Sequence, residues 1–195
     1  MTTCREVIQS AYRRSGIMAM GVNMNEAQAQ VGLELLSGMY QNLIVGGMFG
    51  RATDKIYDSA SDYEAEEGYR IYNTQGATIA LPVLVDDPDA PEGTRQPRDG
   101  AFITIVNPDA GVPTEQYIYD RSIGKWVGIH SLALSTEAPL CGRYEDHIKN
   151  MLAVRLLGES GQPAPLELMR AEGRARLALS NRVDGERRTG VGVFG

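Results

Sequence analysis

Cysteine is nearly absent: Cys4 and Cys141 are the only two in 195 residues, too few for a disulfide scaffold. Histidine is as scarce, with only His130 and His147. No C-x-x-C or H-E-x-x-H spacing occurs, so neither a metal centre nor a cofactor is expected. No stretch approaches the roughly 18 apolar residues that span a bilayer. The opening Met1-Thr-Thr-Cys-Arg5 lacks the basic start and apolar run of a secretory signal; the expectation is a chain made in a cytoplasm, with no membrane partner. An excess of positive charge is missing too: 19 Lys and Arg stand against 25 Asp and Glu, a net charge of −6. That balance does not suit a protein that grips nucleic acid by releasing counterions, although DNA can pass beside it unbound. What is present, 43% hydrophobic and 23% charged residues, is the composition of a folded chain with a sizeable core in one or two small domains.

Charge is distributed in three blocks. Residues 1–50 carry 3 basic and 3 acidic groups, residues 51–138 carry 7 and 15, and residues 139–195 carry 9 and 7, giving 0, −8 and +2. In the first block Thr3 and Glu6 form a capping box, and Cys4, Val7, Ile8, Ala11 and Tyr12 follow at helical spacing until Gly16. Asn25 with Gln28 starts a second helix, whose stripe of Val31, Leu35, Leu36, Met39, Tyr40 and Leu43 ends at Gly46 and Gly47.

The period then changes to that of strands. Tyr69-Arg-Ile-Tyr72, Thr78-Ile-Ala-Leu81, Phe102-Ile-Thr-Ile-Val106, Gln116-Tyr-Ile-Tyr-Asp120 and Lys125-Trp-Val-Gly-Ile129 predict a small antiparallel β unit. Gly124 closes its clearest hairpin, and residues 86–100, rich in Pro, Gly and charge, read as an exposed loop. After Pro139, helical spacing returns with Leu140, Tyr144, Ile148, Met151, Leu152 and Leu156 until Gly158. A fourth helix opens near Pro163 and Pro165 with Leu166, Met169, Gly173 and Leu177 as its stripe. From Arg182 the chain loses periodicity and reads as an extended tail.

The resulting expectation is an α+β protein. A four-helix, bundle-like domain comes from residues 1–50 and 139–181, a β-rich insertion from 51–138 lies between helices two and three, and an extended tail covers 182–195.

Chemistry is hard to find in these residues. Cys4 and Cys141 fall on apolar helix faces and read as small buried residues. His147 flanks the buried stripe of the third helix. Gly158-Glu-Ser-Gly-Gln162 lacks the final glycine and the preceding strand of a nucleophile elbow, and Gly46-Gly-Met-Phe-Gly50 lacks the Lys-Ser/Thr of a phosphate loop. Asp62, Glu64, Glu66 and Glu67 offer carboxylates for glycoside cleavage, yet a catalytic pair needs one acid in an apolar cleft, and a dense acidic run normally lies in water. Trp126, with Tyr117 and Tyr119, reads as the anchor of the β unit or as a surface that stacks on a partner. In the tail, Arg187 and Arg188 precede Val191, Val193 and Phe194; the segment is either a frayed end or a strand that plugs a partner's groove.

Several of these residues carry a resemblance. Val7-Ile-Gln-Ser-Ala-Tyr-Arg-Arg-Ser-Gly-Ile17, Ala27-Gln-Ala with Leu35-Leu36, Ala138-Pro-Leu140, Arg143-Tyr144 and Asn150-Met-Leu-Ala-Val-Arg-Leu156 resemble the head-to-tail adaptor family of tailed phages. These adaptors are also called tail accessory factors or packaged-DNA stabilisation proteins. Pro97-Arg-Asp-Gly100 and Tyr117-Ile-Tyr-Asp120 with Trp126 extend the resemblance into the insertion. It implies a non-enzymatic virion protein of the neck, forming a ring of twelve copies under the portal. Such a ring extends the DNA channel, retains packaged DNA and receives tail or nozzle proteins. It also implies that the tail residues Arg187, Arg188, Val191, Val193 and Phe194 clasp the portal and that the insertion, with Tyr117, Tyr119 and Trp126, faces the tail. An acidic insertion suits a conduit, since an anionic wall lets DNA slide. Some relatives of the family are associated with muralytic activity, so a cell-wall hydrolase is the alternative.

Overall fold

The computed structural model describes residues 2–49, 53–56, 69–73, 79–108 and 114–188, with the backbone alone for 53–56, 69 and 181–188. It is an α+β chain of four helices and a small sheet. In order these are α1 (Cys4–Ser15), α2 (Glu26–Val45), β1 (Thr53–Ile56), β2 (Tyr69–Tyr72), β3 (Val85–Asp86) and β4 (Thr94–Arg95), then β5 (Phe102–Val106), β6 (Glu115–Asp120), β7 (Lys125–Gly128), α3 (Cys141–Glu159) and α4 (Leu166–Arg188). Two compact units result: Met1–Gly50 with Ala133–Gly195, and Arg51–Leu132.

Both capping boxes form as their sequences require. Thr3 accepts from the Glu6 amide while the Glu6 carboxylate accepts from Thr3, and Asn25 and Gln28 do the same for α2. Gly16 ends α1 with φ +77°. Val7, Ile8, Ala11 and Tyr12 are buried, and the Tyr12 hydroxyl donates to the Gln28 carbonyl at 3.2 Å. Gly32 of α2 is an obligatory close approach: a Cβ there would lie 2.2 Å from Ile8 Cγ2.

The helical unit is centred on α3, which packs against α1, α2 and α4 and buries Ile148, Met151, Leu152, Leu156 and Leu157. Arg14 of α1 ties to it by donating to the Asn150 side chain at 2.7 Å and to the Asp146 carbonyl at 3.2 Å, and by pairing with the Asp146 carboxylate. Residues 133–138, expected in the insertion, belong to the helical unit for a main-chain reason. The first amides of a helix have no partner within it, and those of Cys4 and Arg5 donate to the carbonyls of Thr136 at 2.8 Å and Leu134 at 3.0 Å. Ala138 completes the strap by donating to Thr2 at 3.0 Å.

Two helical expectations change. In α4, Leu166, Met169 and Leu177 are 62%, 53% and 61% exposed, and Ala175 and Leu179 are the buried residues instead. The helix carries two candidate stripes, and the one with Ala175 and Leu179 is the one buried. The helix also continues through Arg188, so residues 182–188 are helical rather than an extended tail. Pro163 and Pro165 precede α4, with the Pro165 carbonyl accepting from Met169 at 3.1 Å.

In the β unit the five-stranded sheet runs in the order β1-β2-β5-β6-β7. It is mixed, not antiparallel: β1, β2 and β5 are mutually parallel, while β5, β6 and β7 form an antiparallel meander. Parallel neighbours need a long crossover, and residues 73–101 supply one between β2 and β5. That crossover carries a ribbon of β3 on β4 where a plain loop was expected, closed by Gly93 at φ +70° and by an Arg95–Asp87 ion pair at 3.1 Å. Residues 79–81 make no strand; Ile79 and Leu81 instead pack on the cluster of Ile71, Ile103 and Ile105. The hairpin β6–β7 turns at Gly124, φ +64°.

Candidate functional surfaces

The aromatic residues of the β6–β7 hairpin come together because strand alternation and register put them on one face. Tyr119 lies opposite Trp126 and Tyr117 opposite Gly128. Trp126 meets Tyr119 edge-on with centroids 5.2 Å apart, donates its indole N–H to the Pro82 carbonyl at 2.8 Å, and packs with Tyr117 on the isoleucine cluster. Tyr117 meets His130 edge-on at 5.2 Å and donates to Glu115 Oε2 at 2.6 Å. Burial, reinforced by that carboxylate, pushes its phenol up to about 12. A ring whose polar handle is already satisfied and whose body is in a core is an anchor of the fold. A Cβ at Gly128 would lie 3.0 Å from His130 Cε1 and Ser131 Oγ, so those side chains would have to shift by a few tenths of an ångström to admit it.

The reactive residue types stand apart from one another. Among the described residues no three His, Cys, Asp or Glu side chains are grouped to hold a metal ion. Cys4 and Cys141 are buried thiols. Burial raises the Cys4 thiol above its ordinary range, with Thr136 partly opposing the shift, which disfavours the thiolate a nucleophile needs. His147 stacks on Tyr144 at 6.0 Å, and His130 Nδ1 accepts from the Gln116 amide at 3.2 Å. Ser160 follows α3 and donates back to the Leu156 carbonyl at 2.7 Å, an arrangement that finishes a helix and activates nothing. Asp62, Glu64, Glu66 and Glu67 lie outside the described residues, as do Val191, Val193 and Phe194; Arg187 and Arg188 fall in the last turn of α4.

No protein-family model and no curated protein sequence matches this chain. Among the described residues no helix is long and apolar enough to cross a membrane.

What the structure adds is apolar surface. Leu166, Met169 and Leu177 on α4, Val31 and Val45 on α2, and Val83 and Leu84 just before the β3–β4 ribbon are all exposed. Sequence reasoning placed Leu166, Met169 and Leu177, and Val31 at the start of the α2 stripe, on the packing faces of their helices, because spacing at three and four residues reveals a stripe and not the side on which its partner lies. The ribbon that follows Leu84 is acidic, with Asp86, Asp89 and Glu92 exposed.

Proposed function

We propose that this chain is a structural connector of the head-to-tail adaptor kind. Its copies form a ring under a phage portal, extend the DNA channel, retain packaged DNA and offer a docking surface to tail or nozzle proteins. In this reading it works in the virion neck without catalysis, cofactor or metal, and its four helices act as a bundle-like adaptor body. The observation that carries the reading is the outward apolar face of α4, where Leu166, Met169 and Leu177 are each more than half exposed. Large apolar side chains aligned on the solvent side of a helix mark a surface made to be covered by protein.

Two further features support it. The segments that resemble the adaptor family, on α1 and α3, join through Arg14, Asn150 and Asp146, so they act in the fold as packing motifs and need no catalytic role. The block of 51–138 is acidic, at net −8, and an anionic wall repels DNA and lets it slide. Tyr117, Tyr119 and Trp126 then stiffen the tail-facing insertion from within.

Light scattering of the purified protein with portal rings tests the reading. The full chain is expected to join the portal in many copies. A version ending after Arg188, which keeps all of α4 and removes Val191, Val193 and Phe194, is expected to lose that association if the tail is the clasp. Failure of the full chain to bind at any salt concentration overturns the connector. Loss of peptidoglycan cleavage on Glu66→Gln with Glu67→Gln, in a wild type that cleaves it, would establish the hydrolase instead.

A further inference from the structure

Two helix faces of the same unit turn apolar side chains toward solvent and differ in charge. On α4, Leu166, Met169, Gly173 and Leu177 recur every three or four residues and so share one side of the helix. At 100° per residue Arg170 and Arg174 border that stripe on one flank and Arg176 on the other. Arg176 is committed to Glu172 at 2.6 Å, whereas Arg170 and Arg174 are exposed and make no ion pair among the described residues. On α2, Ala27, Val31, Gly38 and Val45 recur at four and seven residues on the side away from the core, interleaved with Glu34 and Gln41; Val31 is 39% and Val45 75% exposed, and Gly38 is half-buried. This helix contains no Lys or Arg. Among the described residues its exposed Glu34 accepts from the Gln30 side-chain amide, at 3.1 Å.

A glycine sits midway along each stripe. A Cβ at Gly38 or at Gly173 would meet nothing within 4 Å, so neither glycine is required by the packing of its own chain. Glycine inside a helix is unfavourable relative to alanine, and its use at the centre of an open face is accounted for when another backbone must come close. We propose that copies of this chain associate head to tail through these faces, α4 of one copy lying along α2 of the next.

Charge selects this pairing over its alternatives. Setting α4 against α4 would oppose Arg170 and Arg174 to themselves, and setting α2 against α2 would oppose Glu34 to Glu34. Exposed Glu167 on the same flank of α4 offsets part of the repulsion between arginines, whereas α4 on α2 sets both arginines against a helix whose charged residues, Glu26 and Glu34, are all acidic. Such a contact is heterologous, so it repeats from copy to copy and closes into a ring when the rotation allows. Each single contact is small, and closure supplies the avidity. The inference gives the ring of the preceding section its inter-subunit contact and in that respect rests on that reading, but it is tested without a portal.

The test is oxidative cross-linking of the full chain at its highest soluble concentration. Cys4 and Cys141 are buried and serve as an internal background. A Met169→Cys chain mixed with a Val31→Cys chain is expected to give disulfide-linked dimers, and either variant alone is not. Adding Gly173→Leu to the first chain should lower the dimer yield about tenfold with the circular dichroism spectrum unchanged. Arg170→Glu with Arg174→Glu should lower it similarly, and Glu34→Arg on the partner chain should restore it. Dimers from Met169→Cys alone at the rate of the mixture would overturn the pairing in favour of α4 on α4. An absence of dimers in the mixture, or charge reversal without effect or without rescue, overturns it as well. A protein that joins portal rings yet fails to cross-link here loses the helix pairing and keeps the connector reading.

Discussion

Tyr117 concentrates the physical chemistry of the β unit in one hydroxyl. It donates to Glu115 from a half-buried position, and both burial and the nearby carboxylate disfavour the phenolate, first the burial and then the charge. Its ordinary pKa of 10.0 rises to about 12. An unfolded chain releases this proton near 10 and the folded chain only near 12, so the contribution to stability is complete below pH 10 and is lost as pH rises through that interval. Ultraviolet titration of the native protein should show one tyrosine ionising near pH 12, absent in Tyr117→Phe; a variant with the same titration curve would place the late proton elsewhere. Two glycines make a second residue-scale contrast. Gly32→Ala drives a methyl into Ile8 and should cost about 1–3 kcal/mol, whereas Gly173→Ala meets open space and should gain roughly 0.5–1 kcal/mol from helix propensity. Urea unfolding of the two variants checks both signs.

Helices and strands differ in how far their sequence announced them. The caps of α1 and α2 were legible because a capping box is a local signal, with Thr3 and Glu6, or Asn25 and Gln28, three residues apart. The β6–β7 hairpin was legible for the same reason, its turn being set by Gly124. Sheet direction was not, because a strand's pattern of alternation is the same whether its neighbour runs parallel or antiparallel, and the crossover of residues 73–101 is too long to impose either. The orientation of α4 failed for a related cause: Leu166, Met169 and Leu177 satisfy helical spacing as well as Ala175 and Leu179 do, and only the position of α3 decides between them. Of the candidate site, the aromatic trio was found by residue type, and the partner that fixes Trp126, the Pro82 carbonyl, carries no sequence signal at all. Arg14 belongs to this scale as well, since it joins α1 to α3. The Arg14 guanidinium holds the Asp146 carboxyl below its ordinary 3.8. A lowered carboxylate stabilises the fold above its unfolded pKa, and that contribution disappears as pH falls through the folded value. Arg14→Gln should cost about 1 kcal/mol at neutral pH, the worth of an exposed hydrogen-bonded ion pair, and less below pH 3.8, where Asp146 protonates in the unfolded chain. Thermal unfolding across this range measures the difference.

For the molecule as a whole, the division into Met1–Gly50 with Ala133–Gly195 and Arg51–Leu132 predicts separable cooperativity. Each unit has a core of its own: Ile148, Met151, Leu152 and Leu156 in one, Ile71, Ile103 and Ile105 in the other. Opening free energies differ between such units, so a cavity in one core need not be felt in the other. Ile103→Ala should cost about 2–5 kcal/mol, read by hydrogen exchange as faster exchange throughout β5, β6 and β7 with α1 and α3 unchanged. Acceleration of all elements together would show that the chain opens as one body.

The strap of residues 133–138 sets an order of events during synthesis. The amides of Cys4 and Arg5 are satisfied by carbonyls of Leu134 and Thr136, and α1 packs chiefly on α3, which begins at Cys141. A ribosome adding about 5–20 residues per second needs on the order of ten seconds to travel from the first helix to the segment that seals it. Through that time α1 and α2 have only each other, while the β unit is being made. The β unit can therefore mature first, and the helical unit closes around its own ends only after the intervening sheet has been made.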